Sequence, residues 1–341
     1  MTEETRGLVL LTGVSGFIGL HCAKEMLEQG YKVRGSVRSK EKEDEVLATL
    51  NAASVNTAHL SFVRLDLTSD SGWAQAAEDC DFIMHVASPF TIANPKTEDE
   101  MIAPAVQGSL RALKAGKDAG VKRVVLTSSI LSMMGSMKTG TFGPEDWTDT
   151  QSKAINTYTK SKTLAERAAW EFMASQSDKN EMELVVVNPG AVFGPSLGKN
   201  MTGQTMTLFK QMLQGKIPLV PNFAFPMVDV RDVAKLHVEA LTNTEANGKR
   251  IIAATAEPHS FIEIAKILKN EGYKGPSTRK APDFLLRLTS IFDREAKGML
   301  GMLGMNLHSN NTETRTLFNW TPRTMKESVL DTAKSIKATE S

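Results

Sequence analysis

Leu8-Val9-Leu10-Leu11-Thr12-Gly13-Val14-Ser15-Gly16-Phe17-Ile18-Gly19 decides the architecture of this chain. Leu8 to Thr12 is short, apolar and bounded by glycine, which reads as a buried strand. Gly16 to Gln29 then carries a helical pattern closed by Gly30, and Lys32 to Ser36 repeats the strand signal. The intervening spacing, Gly13-x-x-Gly16-x-x-Gly19, suits a tight turn, a close backbone approach to a pyrophosphate and tight packing of helix on sheet. Phosphate oxygens would rest on N–H groups at the helix N-terminus, beside Ser15, Phe17 and Ile18. A glycine triplet alone is as readily an ordinary strand-to-helix turn. Its place straight after a buried strand and before an amphipathic helix favours the nucleotide reading.

Working outward, a charged helix is expected over Glu41 to Asn51, then strands at Leu60–Leu65 and Phe82–Val86. A helix follows within Glu98 to Ala119, a strand at Arg123–Thr127, a long helix from about Ser152 to Ser175, and a strand at Leu184–Asn188. Strands alternating with helices imply parallel pairing with helices on both faces, an α/β doubly wound sheet of Rossmann type. Beyond Pro195 the alternation weakens and prolines punctuate the chain at 218, 221, 226, 276, 282 and 322. A length of 341 residues accommodates a large domain and a smaller one. We expect residues 1–195 to form the dinucleotide-binding domain with its catalytic helix, and 196–341 mainly a smaller substrate-binding domain, some segments of which return to the first.

Lys and Arg total 40 against 39 Asp and Glu. Without a net field, nucleic acid and anionic membranes are not expected partners. The start, Met1-Thr2-Glu3-Glu4-Thr5-Arg6, lacks signal-peptide organisation, and no apolar run approaches a membrane span. Cys22 and Cys80 have no metal-ligand spacing and read as reduced thiols. A cytoplasmic protein without a metal is expected, either monomer or homodimer.

The end of the second strand selects the dinucleotide. An NAD site places an acid there for the ribose 2′-hydroxyl, whereas a 2′-phosphate needs a cation. Tyr31 to Ser39 contains no acid, and Arg38 and Lys42 stand near the expected place. Arg38, with its planar fork, is the candidate for the 2′-phosphate, so NADP(H) is the expected cofactor. The bland alternative is a solvated basic face of Arg34, Arg38, Lys40 and Lys42, balanced by Glu41, Glu43 and Asp44.

Tyr158 and Lys162 are four apart and share a helix face, with Cβ atoms about 5–6 Å apart. An ammonium near a phenol is expected to lower its pKa and make it a usable proton donor to a carbonyl oxygen. Ser129, after the strand ending at Thr127, can hydrogen-bond the same oxygen. Such a pair occurs by chance on many solvated helices; its weight comes from sharing a chain with the glycine turn. His21 and His85 read as structural, and His237 as packing or surface in a helix that Asp232 caps or begins.

These motifs resemble the extended short-chain dehydrogenase/reductases, and within them the dihydroflavonol reductase-like aldehyde and ketone reductases. The likeness is carried by Leu11 to Gly19, Gly35 to Ser39, Asp66-Leu67, His85 to Pro89, Thr127 to Ser129, Tyr158 to Lys162 with Leu164 to Glu166, Asn188 to Pro195, Val228 to Ala234, and Trp320 to Arg323. It implies Ser129, Tyr158 and Lys162 as the catalytic set, with Lys162 also on the nicotinamide ribose. It also implies Asp66 and Leu67 at the adenine, Val86, Ala87 and Ser88 along the cofactor with Thr127, and Pro189, Gly190 and Val192 at the nicotinamide. Phe90, Met133, Met134, Phe193, Met201, Met206, Phe223 and Phe225 fall on segments the family places around the substrate.

Two departures matter. Where many members carry an Asn three residues before the glycine matching Gly108, this chain has Ala105, so any proton relay must use another group. The interval from Ser129 to Tyr158 is short for dihydroflavonol reductases, and its Met-rich opening lacks their polar substrate-reading residue, which does not support a flavonoid substrate. The expectation is NADPH-dependent reduction of hydrophobic aldehydes or ketones, small-molecule carbonyl compounds, to alcohols. The alternatives are 3β-hydroxysteroid dehydrogenase-like alcohol oxidation, a sugar-nucleotide epimerase, and a redox-sensing binding protein without chemistry.

Overall fold

The computed structural model describes residues 6–89, 95–176, 182–198, 204–292, 297 and 299–340. Its strands are β1 Leu8–Thr12, β2 Lys32–Val37, β3 Leu60–Arg64, β4 Phe82–His85, β5 Arg123–Thr127, β6 Thr139–Phe142, β7 Glu183–Pro189, β8 Ala191–Phe193, β9 Ala224–Phe225, β10 Met227–Asp229, β11 Arg250–Ala253, β12 His259–Ser260 and β13 Asn306–Ser309. Seven of them make one sheet in the order β11-β7-β5-β4-β1-β2-β3. Every pairing in it is parallel.

Side-chain alternation builds a core on each face of this sheet. Val9 and Leu11 point into a cluster with Val33, Met84 and Val125, while Leu10, between them, joins Ile83, Val124 and Leu126 on the other side. Strands buried on both faces read as continuous apolar runs, which is why they were recognisable in the sequence. Helices α1 (Phe17–Glu28), α2 (Lys40–Ala52), α3 (Trp73–Ala77), α4 (Asp99–Asp118), α5 (Leu131–Met134) and α6 (Thr157–Ala174) connect them. The chain order reverses at β1, which lies between β2 and β4, and such a switch point opens a crevice at the carboxyl ends of the strands.

The second half, joined by β6 and Phe142 from the first, supplies a third core around Phe193, Phe209, Phe223, Phe261 and Leu307, with small sheets β10-β8 and β12-β9-β13-β6. It also sends β11 to the edge of the large sheet, paired with β7. The helix Val230–Ala240 packs its Val233 and Leu236 into the core beneath that sheet.

Two local expectations are corrected. The catalytic helix begins at Thr157, not near Ser152, because the Asn156 side chain accepts from Thr159 N at 2.9 Å and starts the helix there. The helix at Val230 is capped by Asp229, whose carboxylate accepts from Arg231 N at 2.9 Å. Asp232 instead pairs with Arg323 and accepts from its backbone N–H at 2.8 Å, tying the C-terminal part to this helix. Among the described residues no helix is long and apolar enough to cross a membrane, and no cluster of ligating side chains could hold a metal.

Candidate active site

A cleft of about 850 Å³ runs along the carboxyl ends of the central strands. At one end is the glycine turn. Gly13 has φ +71° and lies so close to Ala87 that an added Cβ would sit 2.9 Å from its Cα. A Cβ on Gly19 would sit 2.1 Å from Gly13 O, so only hydrogen lets the first turn of α1 close on the strand end. No side chain caps α1, so its N-terminal N–H groups face the cleft beside Ser15, Gly16, Phe17 and Ile18. Thr12 braces the floor: its hydroxyl accepts from Ala87 N at 3.1 Å and shares a hydrogen bond with His85 Nδ1 at 2.9 Å. Burial holds His85 down to about 3, with the nearby Lys162 charge acting in the same direction.

The cations after β2 separate into distinct roles. Arg34 turns inward and donates to the carbonyls of Gln75, Ala76 and Glu78 at the end of α3. Lys40 pairs with Glu43 and Asp44, and Lys42, although it borders the cleft, pairs with Glu45. Arg38 is exposed at the cleft edge, opposite Asp66 and Leu67. Asp66 Oδ1 accepts from Thr68 N and Oγ1 at 2.7 and 2.6 Å. These bonds, helped by Arg38 and Arg111, hold its carboxyl below the usual carboxylate range.

Midway along the cleft stand Ser129, Tyr158 and Lys162. Tyr158 and Ser129 share a side-chain hydrogen bond. Lys162, 6% exposed, donates to Thr127 O at 3.2 Å, whereas Lys160 is taken by Glu98 at the surface. Burial lowers Lys162 to about 8 against an upward pull from Glu166. Burial also raises Tyr158 above its ordinary value, with the Ser129 bond opposing, which corrects the expected downward shift. Removal from water disfavours the phenolate more than its neighbours favour it. The phenol accordingly holds its proton at neutral pH.

The strand end is held from behind. His237 Nδ1 lies 2.8 Å from Val233 O, a group that only accepts, so Nε2 is the acceptor and the Thr127 hydroxyl donates to it at 2.7 Å. His237 is thus a buried partner of Thr127 and not an unpartnered one. Burial holds it down to about 4, as it does His21, which bonds Pro195 O at 2.9 Å. Ala105 is buried, and the polar groups around a small cavity beside Lys162 are His85, Ser88, Ser109, Thr127, Ser128 and Glu166.

Val86, Ala87, Ser88, Thr127, Pro189, Gly190 and Val192 line the cleft between the glycine turn and an apolar wall. Of the expected substrate residues, Met134, Met206, Phe223 and Phe225 lie on that wall. Met133 and Phe193 do not, and both are buried in the core behind it. Met133 points away from Met134 on the short α5, and Phe193 alternates with Val192 along β8, so each neighbour takes the cleft side. Phe90 and Met201 lie outside the described residues. Phe261, Met302 and Met305 were missed; they come to the wall from remote segments whose pattern marks them only as apolar.

Known proteins resemble this chain in sequence and fold. The model of the NAD dependent epimerase/dehydratase family matches residues 9–254. The NADPH-dependent methylglyoxal reductase of Saccharomyces cerevisiae is 30% identical over 351 residues, covering 96% of this chain and 97% of that protein. A cinnamoyl-CoA reductase of Medicago truncatula is 31% identical over 271 residues, covering 77% and 80%. The crystal structure of yeast methylglyoxal/isovaleraldehyde reductase complexed with NADPH superimposes with a TM-score of 0.79 at 28% identity, covering 98% of this chain and 99% of that one. The chain belongs to the NAD dependent epimerase/dehydratase family, as an extended short-chain dehydrogenase/reductase.

Proposed function

We propose that this protein reduces hydrophobic aldehydes and ketones to alcohols with NADPH, using Tyr158 as the proton donor. The observation carrying this reading is that Ser129, Tyr158 and Lys162 meet in one cleft, between a phosphate-suited glycine turn and a wall of Met and Phe side chains. The turn at Gly13, the open N-terminus of α1 and the exposed guanidinium of Arg38 fit a dinucleotide with a 2′-phosphate. When bound there, NADPH supplies the hydride. Ser129 and Tyr158 hold the carbonyl oxygen, and the phenol passes its proton to that oxygen as it becomes an alcohol. Lys162, four residues along the same helix, would carry its positive charge beside the phenol and would bind the nicotinamide ribose. That a relative is an NADPH-dependent methylglyoxal reductase supports the reading.

The apolar wall leaves small anions without a counter-charge, and an unpaired carboxylate is costly to desolvate. An aryl aldehyde or branched alkyl ketone is therefore expected to exceed pyruvate and a nucleotide sugar in kcat/KM with NADPH. Preference for pyruvate or the nucleotide sugar overturns the reading, the latter in favour of an epimerase. Glu166, behind the strand end, is held by Arg250, Ser128, Ser132 and Asn188 and does not line the cleft, so it is not placed as a dehydratase acid.

Arg38→Asp is expected to raise the KM for NADPH and erase or reverse the preference over NADH, because charge-assisted phosphate bonds are about twice as strong as neutral ones. Equal wild-type efficiency with both cofactors would refute this assignment. We further infer a cytoplasmic monomer or homodimer with neither nucleic-acid nor membrane partners. Residues 1–195 would mainly bind the dinucleotide and 196–341 mainly the substrate.

A further inference from the structure

Glu166 lies one helical turn beyond Lys162, and its side chain is fully buried. Its Oε1 takes Arg250 Nε at 2.5 Å, and its Oε2 accepts from Ser128 Oγ at 2.5 Å and from Asn188 Nδ2 at 2.9 Å. Ser132 Oγ stands 2.6 Å from Oε2 and 2.8 Å from Ser129 O, and its single hydrogen can serve only one of them. Asn188 also reaches Ser129 O at 3.2 Å. Arg250 is anchored in turn by the carbonyls of Pro144 and Asp146 at 2.7 and 2.6 Å, and by the Trp147 ring 3.8 Å from its guanidinium carbon. One carboxylate thus joins α6, the Ser128–Ser132 loop, the end of β7 and the start of β11.

We propose that Glu166 is a positioning residue for the reduction: with Arg250 it locks Ser129 against the helix bearing Tyr158 and Lys162, and it is the buried counter-charge of the Lys162 ammonium. The proposal rests on the reading of Ser129, Tyr158 and Lys162 as the reacting groups. A lone carboxylate buried this deeply is costly, and the guanidinium with the Ser128 and Asn188 donors offsets that cost. A serine held through both its backbone carbonyl and its neighbour's hydroxyl keeps a fixed distance to the phenol, where small misplacements weigh heavily.

The charges facing Lys162 can be enumerated. Tyr158 and Glu166 belong to its own helix, His85 faces it from β4, and His237 stands behind Thr127 on β5. Arg250 of β11 lies beyond Glu166, while Ser109 of α4 and Ser128 are neutral. Both histidines are neutral across the working range, being held down to about 3 and about 4. Glu166 is the group that raises Lys162 against the effect of burial. Removing its charge lowers the Lys162 pKa, so activity that needs the ammonium is lost at a lower pH.

The test measures pH profiles of kcat/KM for carbonyl reduction in Glu166→Gln, Glu166→Asp and the double variant Glu166→Gln/Arg250→Met. Glu166→Gln is expected to lose on the order of 10-fold to 100-fold in kcat with NADPH affinity kept. Its alkaline limb moves down by on the order of one pH unit. Glu166→Asp keeps the limb but lowers kcat, since the shorter carboxylate cannot reach Ser128 and Arg250 together. The double variant leaves no unpaired guanidinium, so it carries the test if Glu166→Gln does not fold. It keeps the kcat loss with a smaller shift in the same direction. A wild-type kcat and an unmoved limb in either charge-free variant overturn the proposal. If the wild type reduces no carbonyl, the proposed function fails separately. The Lys162 midpoint, followed by NMR of ¹³C-lysine protein and assigned with Lys162→Arg, then decides: a lower midpoint in the charge-free variant supports Glu166, and an unchanged one overturns it.

Discussion

Tyr158→Phe is expected to lose on the order of 10² to 10⁴ in kcat while binding NADPH as the wild type does. The ring keeps its place at the first turn of α6, since Asn156 caps that helix through Thr159 and not through the phenol. What disappears is the phenol proton that would pass to the carbonyl oxygen. Water in the cleft would have to supply it, and the alkoxide would form before it arrived. In free-energy terms the loss is about 3 to 5 kcal/mol of barrier. Stopped-flow NADPH oxidation with an aryl aldehyde, beside a fluorescence titration of NADPH, separates turnover from binding. Turnover at the wild-type rate would remove Tyr158 from the mechanism.

Lys162→Met is expected to impair both turnover and NADPH affinity, the signature that distinguishes it from the tyrosine variant. The methionine keeps the length and the packing of the stem but removes the charge below the phenol and the donor to Thr127 O. The pH dependence gives a second readout. With Lys162 held down to about 8, the wild-type kcat/KM should fall as pH rises through that region, because the ammonium form is lost. The residual activity of Lys162→Met should lack that limb. An alkaline limb unchanged in the variant would assign it to another group.

The two methionines of α5 show how far local sequence reaches. Met133 and Met134 are chemically identical and adjacent, and a pocket of methionines is a fair expectation for both. Which one meets the cleft depends on how α5 rolls against α6, and only Met134 does. The same holds for the cations of 34 to 42. Their charges are legible, but Arg34 is drawn to the carbonyls ending α3 and the lysines to acids of α2, which leaves Arg38 at the cleft. Asp229 and Asp232 are both credible caps by spacing, and the approach of Arg323 from 91 residues away decides between them.

From the sequence alone, the parallel sheet, the existence of its strands β1 to β5 and β7, the glycine turn and the Tyr158–Lys162 face can be derived. Each rests on short-range rules: a period of two or 3.6, a glycine where φ is positive or Cβ has no room, and a spacing of four on a helix. Only the tertiary structure decided the apolar wall, the four-stranded sheet β12-β9-β13-β6 and the Glu166–Arg250 lock. Strands of two to four residues are too short to carry a period, and Glu166 and Arg250, 84 residues apart, pair only because β11 returns to the sheet beside β7. Burial turns that distant encounter into a strong constraint, since a carboxylate removed from water must find its partners wherever the fold brings them.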